Sequence, residues 1–120
     1  MFVAGWGATD PRGRNPADAL QKLNVPIFDG VKCKEVYESR GGILNPDSQM
    51  CAGGEQGRDS CVGDSGSALM REEQSKIDRL YQYKLIGVVS FGPRFCGTDG
   101  VPGVYAKVRH YLPWILDSLQ

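Results

Sequence analysis

The chain is poor in the residues that many enzymes and membrane proteins depend on. It holds a single histidine, His110, in 120 residues, so a catalytic or metal centre built on several imidazoles cannot arise from this chain alone. No apolar stretch approaches the ~20 residues that a helix needs to cross a bilayer, so no membrane partner is expected. Neither sign of charge is in excess, since 14 Lys and Arg balance 14 Asp and Glu. That balance leaves no electrostatic footprint for nucleic acid or an anionic membrane surface. The cysteines Cys33, Cys51, Cys61 and Cys96 include no C-x-x-C pair. Structural zinc usually draws its ligands from close pairs, so no metal site is expected. The first residues carry neither a basic n-region nor an apolar h-region of sufficient length, and no Asn-x-Ser/Thr sequon occurs.

What is present describes one compact unit. A length of 120 residues, 41% hydrophobic and 23% charged, suits a single globular domain and is too apolar for disorder. Two disulfides are the better reading of the cysteines and imply an oxidising, extracytoplasmic compartment; four reduced core cysteines in a cytosolic protein are the alternative. Three pairings are possible and spacing alone does not choose among them. Compartment and N-terminus disagree. Either the cysteines mislead, or the true beginning of the protein lies upstream.

Glycine and proline punctuate the chain into short segments, as many strands joined by turns would require. Strands are expected over residues 1–6, Leu23 to Ile27 with Pro26 constraining its pairing, Gln49 to Ala52, Ser67 to Arg71, Tyr83 to Phe91, and Val104 to Val108. Asp10 to Ala17 reads as a surface loop, and the polar run Glu72 to Arg79 as an exposed hairpin loop. A short helix is expected from Asp29, which can cap it. Leu112, Ile115, Leu116 and Leu119 fall at helical spacing, giving an amphipathic C-terminal helix that Pro113 can open. The pattern is mostly β with a terminal helix, which favours a barrel or a sandwich.

The chemistry concentrates in Asp59-Ser60-Cys61-Val62-Gly63-Asp64-Ser65-Gly66-Ser67. A serine flanked by glycines and preceded by aspartate resembles the nucleophile loop of the chymotrypsin-like (trypsin-type) serine proteases. Four further segments match that family in order: Gly5-Trp6-Gly7, Met50-Cys51-Ala52-Gly53, Val89-Ser90-Phe91-Gly92, and Pro102 to Val108 leading to Trp114-Ile115. The resemblance covers essentially the whole chain. The wording around Phe91-Gly92-Pro93, Cys96-Gly97 and Gly103-Val104-Tyr105 is similar to arthropod clip-domain proteases.

The resemblance implies a mostly β fold: the C-terminal six-stranded antiparallel barrel of a two-barrel domain, with a short intermediate helix and a C-terminal helix. It assigns Ser65 as nucleophile, and the backbone N–H groups of Gly63 and Ser65 as the oxyanion hole. Asp59 becomes the base of a specificity pocket that selects Arg or Lys by charge-assisted hydrogen bonds. Gly92 and Gly103 become the pocket's walls, and Ser60 and Ser90 its polar lining. It also implies the disulfides Cys33–Cys51 and Cys61–Cys96. Protein substrates and protease inhibitors are the implied partners, no cofactor is needed, and the implied location is extracellular.

Residues 1–120 then correspond to the second barrel only, and the chain reads as a partial domain. In the family the triad histidine and aspartate come from the missing N-terminal barrel. His110 reads as a helix-capping or surface residue, not as the general base. The chain is therefore expected to be inactive by itself and to expose an apolar face where the first barrel would pack. Asp64 matches an aspartate that pairs with a new N-terminal ammonium after zymogen cleavage. Lacking that partner, it is expected to turn outward or be neutralised, leaving the oxyanion hole unformed. One departure stands out. Ser67-Ala68 replaces the family's usual Gly-Pro. The Asp10 to Ala17 loop, carrying Arg12 and Arg14, matches an exposed autolysis loop or is simply a solvated one. The functional alternative is a non-catalytic protease homologue acting as a binding or regulatory module.

Overall fold

The computed structural model describes residues 1–119. Its core is a curled antiparallel sheet of seven strands in the order β2-β1-β5-β6-β7-β4-β3. In chain order these are β1 (Phe2–Gly5), β2 (Gln21–Asn24), β3 (Ile27–Phe28), β4 (Gln49–Gly53), β5 (Ala68–Gln74), β6 (Tyr81–Phe91) and β7 (Pro102–Lys107). Helix α1 (Gly30–Ser39) follows β3, and helix α2 (Leu112–Ser118) follows a 3-10 turn at Val108–Tyr111.

The count of seven, where six are expected, comes from one proline. The Leu23–Ile27 segment does not stay in one ladder. Its first part pairs with β1, Leu23 opposite Val3, and its last part pairs with β4, Ile27 opposite Ala52. Pro26 has no N–H for a ladder and breaks the strand. The junction nevertheless bonds to both edges: the Val25 N–H donates to the Met1 carbonyl at 2.9 Å, and the Pro26 carbonyl accepts from the Gly53 N–H at 2.8 Å. One bent segment thus supplies both ends of the sheet and draws them together, as barrel closure requires.

The Glu72–Arg79 run is not all loop. β5 continues through Gln74, with Arg71 opposite Lys84 and Glu72 opposite Tyr83. The turn is confined to the tip, where the Ser75 N–H donates to the Leu80 carbonyl at 2.8 Å. This outer ribbon is largely exposed on both faces, so no apolar alternation marks it in the sequence.

Two apolar clusters flank the middle of the sheet. Val3, Val25, Ala52, Leu69, Val89 and Tyr105 fill one side; Cys33, Tyr37, Leu44, Cys51, Val101 and Val104 fill the other, beneath α1. Neighbours Cys51/Ala52 and Val104/Tyr105 send alternate side chains to opposite clusters, which is why β4 and β7 read as continuous apolar runs. Asp29 caps α1 by accepting from the Val31 N–H at 2.8 Å, and Gly41 and Gly42 close its C-terminal end on the Glu38 and Tyr37 carbonyls. Three apolar side chains of α2, Leu112, Trp114 and Leu116, are exposed, as is Leu119 just beyond its end.

Cys33 and Cys51 form a disulfide across 18 residues of chain, stitching α1 to β4 in the second cluster. Closing a loop of that length is worth about 3 kcal/mol through the unfolded chain. The paired variant Cys33→Ala/Cys51→Ala is expected to lose about that much stability in urea unfolding. The cavity left at two fully buried sites adds to the loss.

Candidate active site

Hydrogen bonds on both sides of Ser65 fix the Cys61–Ser67 loop. The Asp64 N–H donates to the Cys61 carbonyl, and the Ser67 N–H to the Asp64 carbonyl, each at 2.9 Å. These two tight turns flank the serine. Gly66 and Ser67 then zip onto Val89 through a pair of 2.9 Å bonds, which fixes the loop against β6. Gly63 takes φ +94°, a conformation that a side chain strains. Ser65 is exposed at the crest, and among the described residues neither the Gly63 nor the Ser65 N–H has an acceptor. Both donors are free for a guest.

Asp64 does not turn outward. Its carboxylate points into the Gly5–Gly7 segment, where Oδ1 accepts from the Gly7 N–H at 2.8 Å and Oδ2 from the Cys61 N–H at 2.9 Å. The expectation of an outward turn counted only a cationic partner, whereas two backbone donors satisfy the same oxygens. A Cβ at either Gly5 or Gly7 would collide with this carboxylate. The Gly5-Trp6-Gly7 motif therefore has a local reason, which sequence reading alone left as a family marker.

Asp59 lies beneath the walls assigned to it. A Cβ on Gly103 would stand 3.0 Å from Asp59 Oδ1, and one on Gly92 3.8 Å from Oδ2 and 3.9 Å from the Gly103 Cα. The two glycines thus pack closely around the carboxylate, which itself does not line the cleft that holds Ser65. Oδ2 accepts from the Gly97 N–H at 3.1 Å, while Oδ1 is buried with no partner among the described residues. Burial pushes the Asp59 carboxyl above its usual range, against the pull of the Gly97 and Ser60 backbone donors and with a further push from the Asp64 charge. Ser60 Oγ lies 3.4 Å from the Tyr105 hydroxyl. Ser60, Ser65, Ser90 and Gly92 line one cleft of about 350 Å³. His110 is not among the cleft's residues. It sits exposed in the 3-10 turn, edge-on to Tyr111 at 4.8 Å.

The second disulfide, Cys61–Cys96, joins the loop of Ser65 to the chain beside Gly97. The Cys96 N–H donates to the Pro11 carbonyl at 2.9 Å, and the Ala8 N–H to the Val62 carbonyl at 2.7 Å. The Asp10–Ala17 loop is thereby strapped to both sides of the site. Among the described residues no cluster of His, Cys, Asp and Glu is placed to hold a metal ion, and no helix is long and apolar enough to cross a membrane.

Sequence reading missed Tyr37. From α1 its hydroxyl donates to the Pro102 carbonyl at 2.5 Å, directly before wall residue Gly103, and its ring packs edge-on against Phe91 at 5.7 Å. Burial, together with the nearby Asp59 charge, pushes the phenol up to about 12, so the donor proton stays in place at any physiological pH. Only an apolar helical face was visible in the sequence, because the partner is 65 residues away.

Sheet and loop together accord with a family match. The trypsin family model matches residues 1–115, and the chain belongs to that family. CLIP domain-containing serine protease HP8 of Bombyx mori is 45% identical over 120 residues, covering 100% of this chain and 31% of that protein. CLIP domain-containing serine protease B4 of Anopheles gambiae is 42% identical over 98% of this chain and 30% of its own length. Serine protease ea of Drosophila melanogaster is 42% identical over 100% and 29% respectively. The chain thus spans about a third of the length of the curated relatives it matches.

Replacing Tyr37 by Phe keeps the ring and removes the donor, leaving the buried Pro102 carbonyl unpaired. The expected cost is about 1–3 kcal/mol of unfolding free energy, measured by urea denaturation.

Proposed function

We propose that this chain forms the substrate-binding half of a serine endopeptidase that cleaves after Arg or Lys. The observation that carries the reading is the buried, unpartnered Asp59 Oδ1 set against the side-chain-free faces of Gly92 and Gly103. A buried carboxylate oxygen without a donor costs the fold free energy. A guanidinium or ammonium entering along the glycine walls would supply both the donor and the opposite charge. A bulkier wall would close the slot, and a neutral guest would leave the charge unpaired.

In this reading Ser65 is the nucleophile. Its hydroxyl attacks the scissile carbonyl, the Ser65 proton passes to a general base, and the carbonyl oxygen takes up charge beside the Gly63 and Ser65 N–H groups. Asp64 holds the loop in register through Gly7 and Cys61. Among the described residues we assign no general base, since the one histidine lies in the 3-10 turn. The first barrel would bring the base and its orienting carboxylate, and it would cover the apolar side chains of α2. The two disulfides favour an oxidising, extracellular compartment, and protein substrates and protease inhibitors are the partners this reading implies. The alternative role, a homologue that binds without hydrolysis, uses the same slot but needs neither Ser65 nor free N–H donors beside it.

Benzamidine tests the slot without requiring turnover. The chain is expected to bind it, and Asp59→Asn to abolish binding. Binding needs the carboxylate, whose pKa is raised, so affinity is expected to fall on acidification with a midpoint above the ordinary Asp range. The same shift has a stability consequence of opposite sense. Above its folded pKa the uncompensated Asp59 charge destabilises the empty fold, and the penalty fades as pH falls through that pKa. Asp59→Asn should therefore raise the Tm of the empty chain by a few degrees at neutral pH, with the gain disappearing in acid. The chain by itself is expected to show no hydrolysis of an Arg-terminated amide. Turnover that disappears in Ser65→Ala would overturn that expectation.

A further inference from the structure

We propose that Arg94 forms a second charge-selective subsite beside Ser65, taking an acidic side chain of the same substrate whose basic side chain enters the Asp59 slot. The inference rests on the slot being a substrate site.

Of the residues that line the cleft of about 350 Å³ holding Ser65, Arg94 is the only charged one. The ion pairs formed among the described residues are Arg14–Asp10, Lys34–Glu38, Arg58–Glu55 and Arg71–Glu73. Arg94 belongs to none of them, so its guanidinium is uncommitted. It is also held. Pro93 restricts the backbone before it, Cys96 anchors the chain two residues later through its disulfide to Cys61, and the guanidinium stands over the Phe95 ring, 5.7 Å from its centroid. A stacked, planar fork on a short tethered loop loses less freedom on pairing with a carboxylate than a free lysine would.

The placement couples the two charges. Gly92, where a Cβ would stand 3.8 Å from Asp59 Oδ2, is two residues from Arg94 in the lining of the same cleft. A peptide lying in the cleft with its cationic side chain in the slot must pass this lining. The site then reads two charges of opposite sign along one strand of substrate, and a second basic residue near Arg94 is repelled.

The test is peptide binding to the 120-residue chain. Acetylated tetrapeptide amides ending in arginine carry Glu, Gln or Lys in turn at each of the three preceding positions, and dissociation constants are taken from NMR titration at low and high salt. At one position Glu is expected to bind roughly 2–5-fold tighter than its isostere Gln at low ionic strength, the range of an exposed ion pair. The advantage should shrink as salt screens it, vanish in Arg94→Gln and pass to Lys in Arg94→Glu. A Glu to Gln ratio of one at every position, or a ratio that survives Arg94→Gln, overturns the proposal. Replacing the terminal arginine by citrulline checks the slot separately. If Gln peptides bind no better with arginine than with citrulline, the reading of Asp59 falls, and this one with it. If arginine is required and the Glu preference is missing, only the role of Arg94 falls.

Discussion

A carboxylate that accepts hydrogen bonds from two separate segments behaves as a staple, and Asp64 does this for the loop that carries Ser65. Its two oxygens take the N–H of Gly7, at the exit of β1, and the N–H of Cys61, within the loop itself. Charge-assisted bonds of this kind are the stronger sort, and both lie partly out of water. With the loop fixed at Asp64, the preceding residue can expose its N–H and the following one its hydroxyl. The bridge from Cys61 to Cys96 then carries that fixed point across to the chain beside Gly97. Few of these positions could change independently.

Asp59 is the counterpart, five residues away and treated in the opposite manner. Where Asp64 is fully matched by backbone donors, Asp59 keeps one oxygen without a partner in a buried place. Two identical side chains on one loop are thus divided into a matched group and an unmatched one by the donors that reach them. The unmatched one is an expense that the fold tolerates, and the nearby disulfide helps to offset it. Tyr37 and the β4–β7 pairing hold Gly103 beside it, so the second apolar cluster helps to set its surroundings.

Sequence reading reached most of this fold because its strongest signals are local. Short strands, the Asp29 cap and the terminal helix are all written within a few residues of where they act. It failed where partners are distant or a face is unburied. The β5–β6 ribbon looked like loop because charged side chains on both faces hide the alternation. The break at Pro26 was legible as a constraint, yet not as a strand shared between two edges. At the site, the positions of Asp59 and Ser65 followed from resemblance to a family, while the orientation of Asp64 did not. Its orientation depends on N–H groups that carry no sequence signature, and a tally of charges alone pointed the wrong way. Tyr37 was hidden for the same reason, since its partner is a carbonyl.

The bend at Pro26 gives the sheet an unusual dependence on one short stretch of backbone. β2 and β3 have four and two residues, and each is an outermost strand whose free side offers unpaired N–H and C=O groups. What keeps those borders from recruiting a strand of another molecule is their mutual approach around the bend, together with their brevity. Severing the chain at Val25-Pro26 would leave almost all side-chain packing in place while releasing the two borders from each other. Protection of both sheet borders would then rest on a two-residue corner of backbone and not on any side chain.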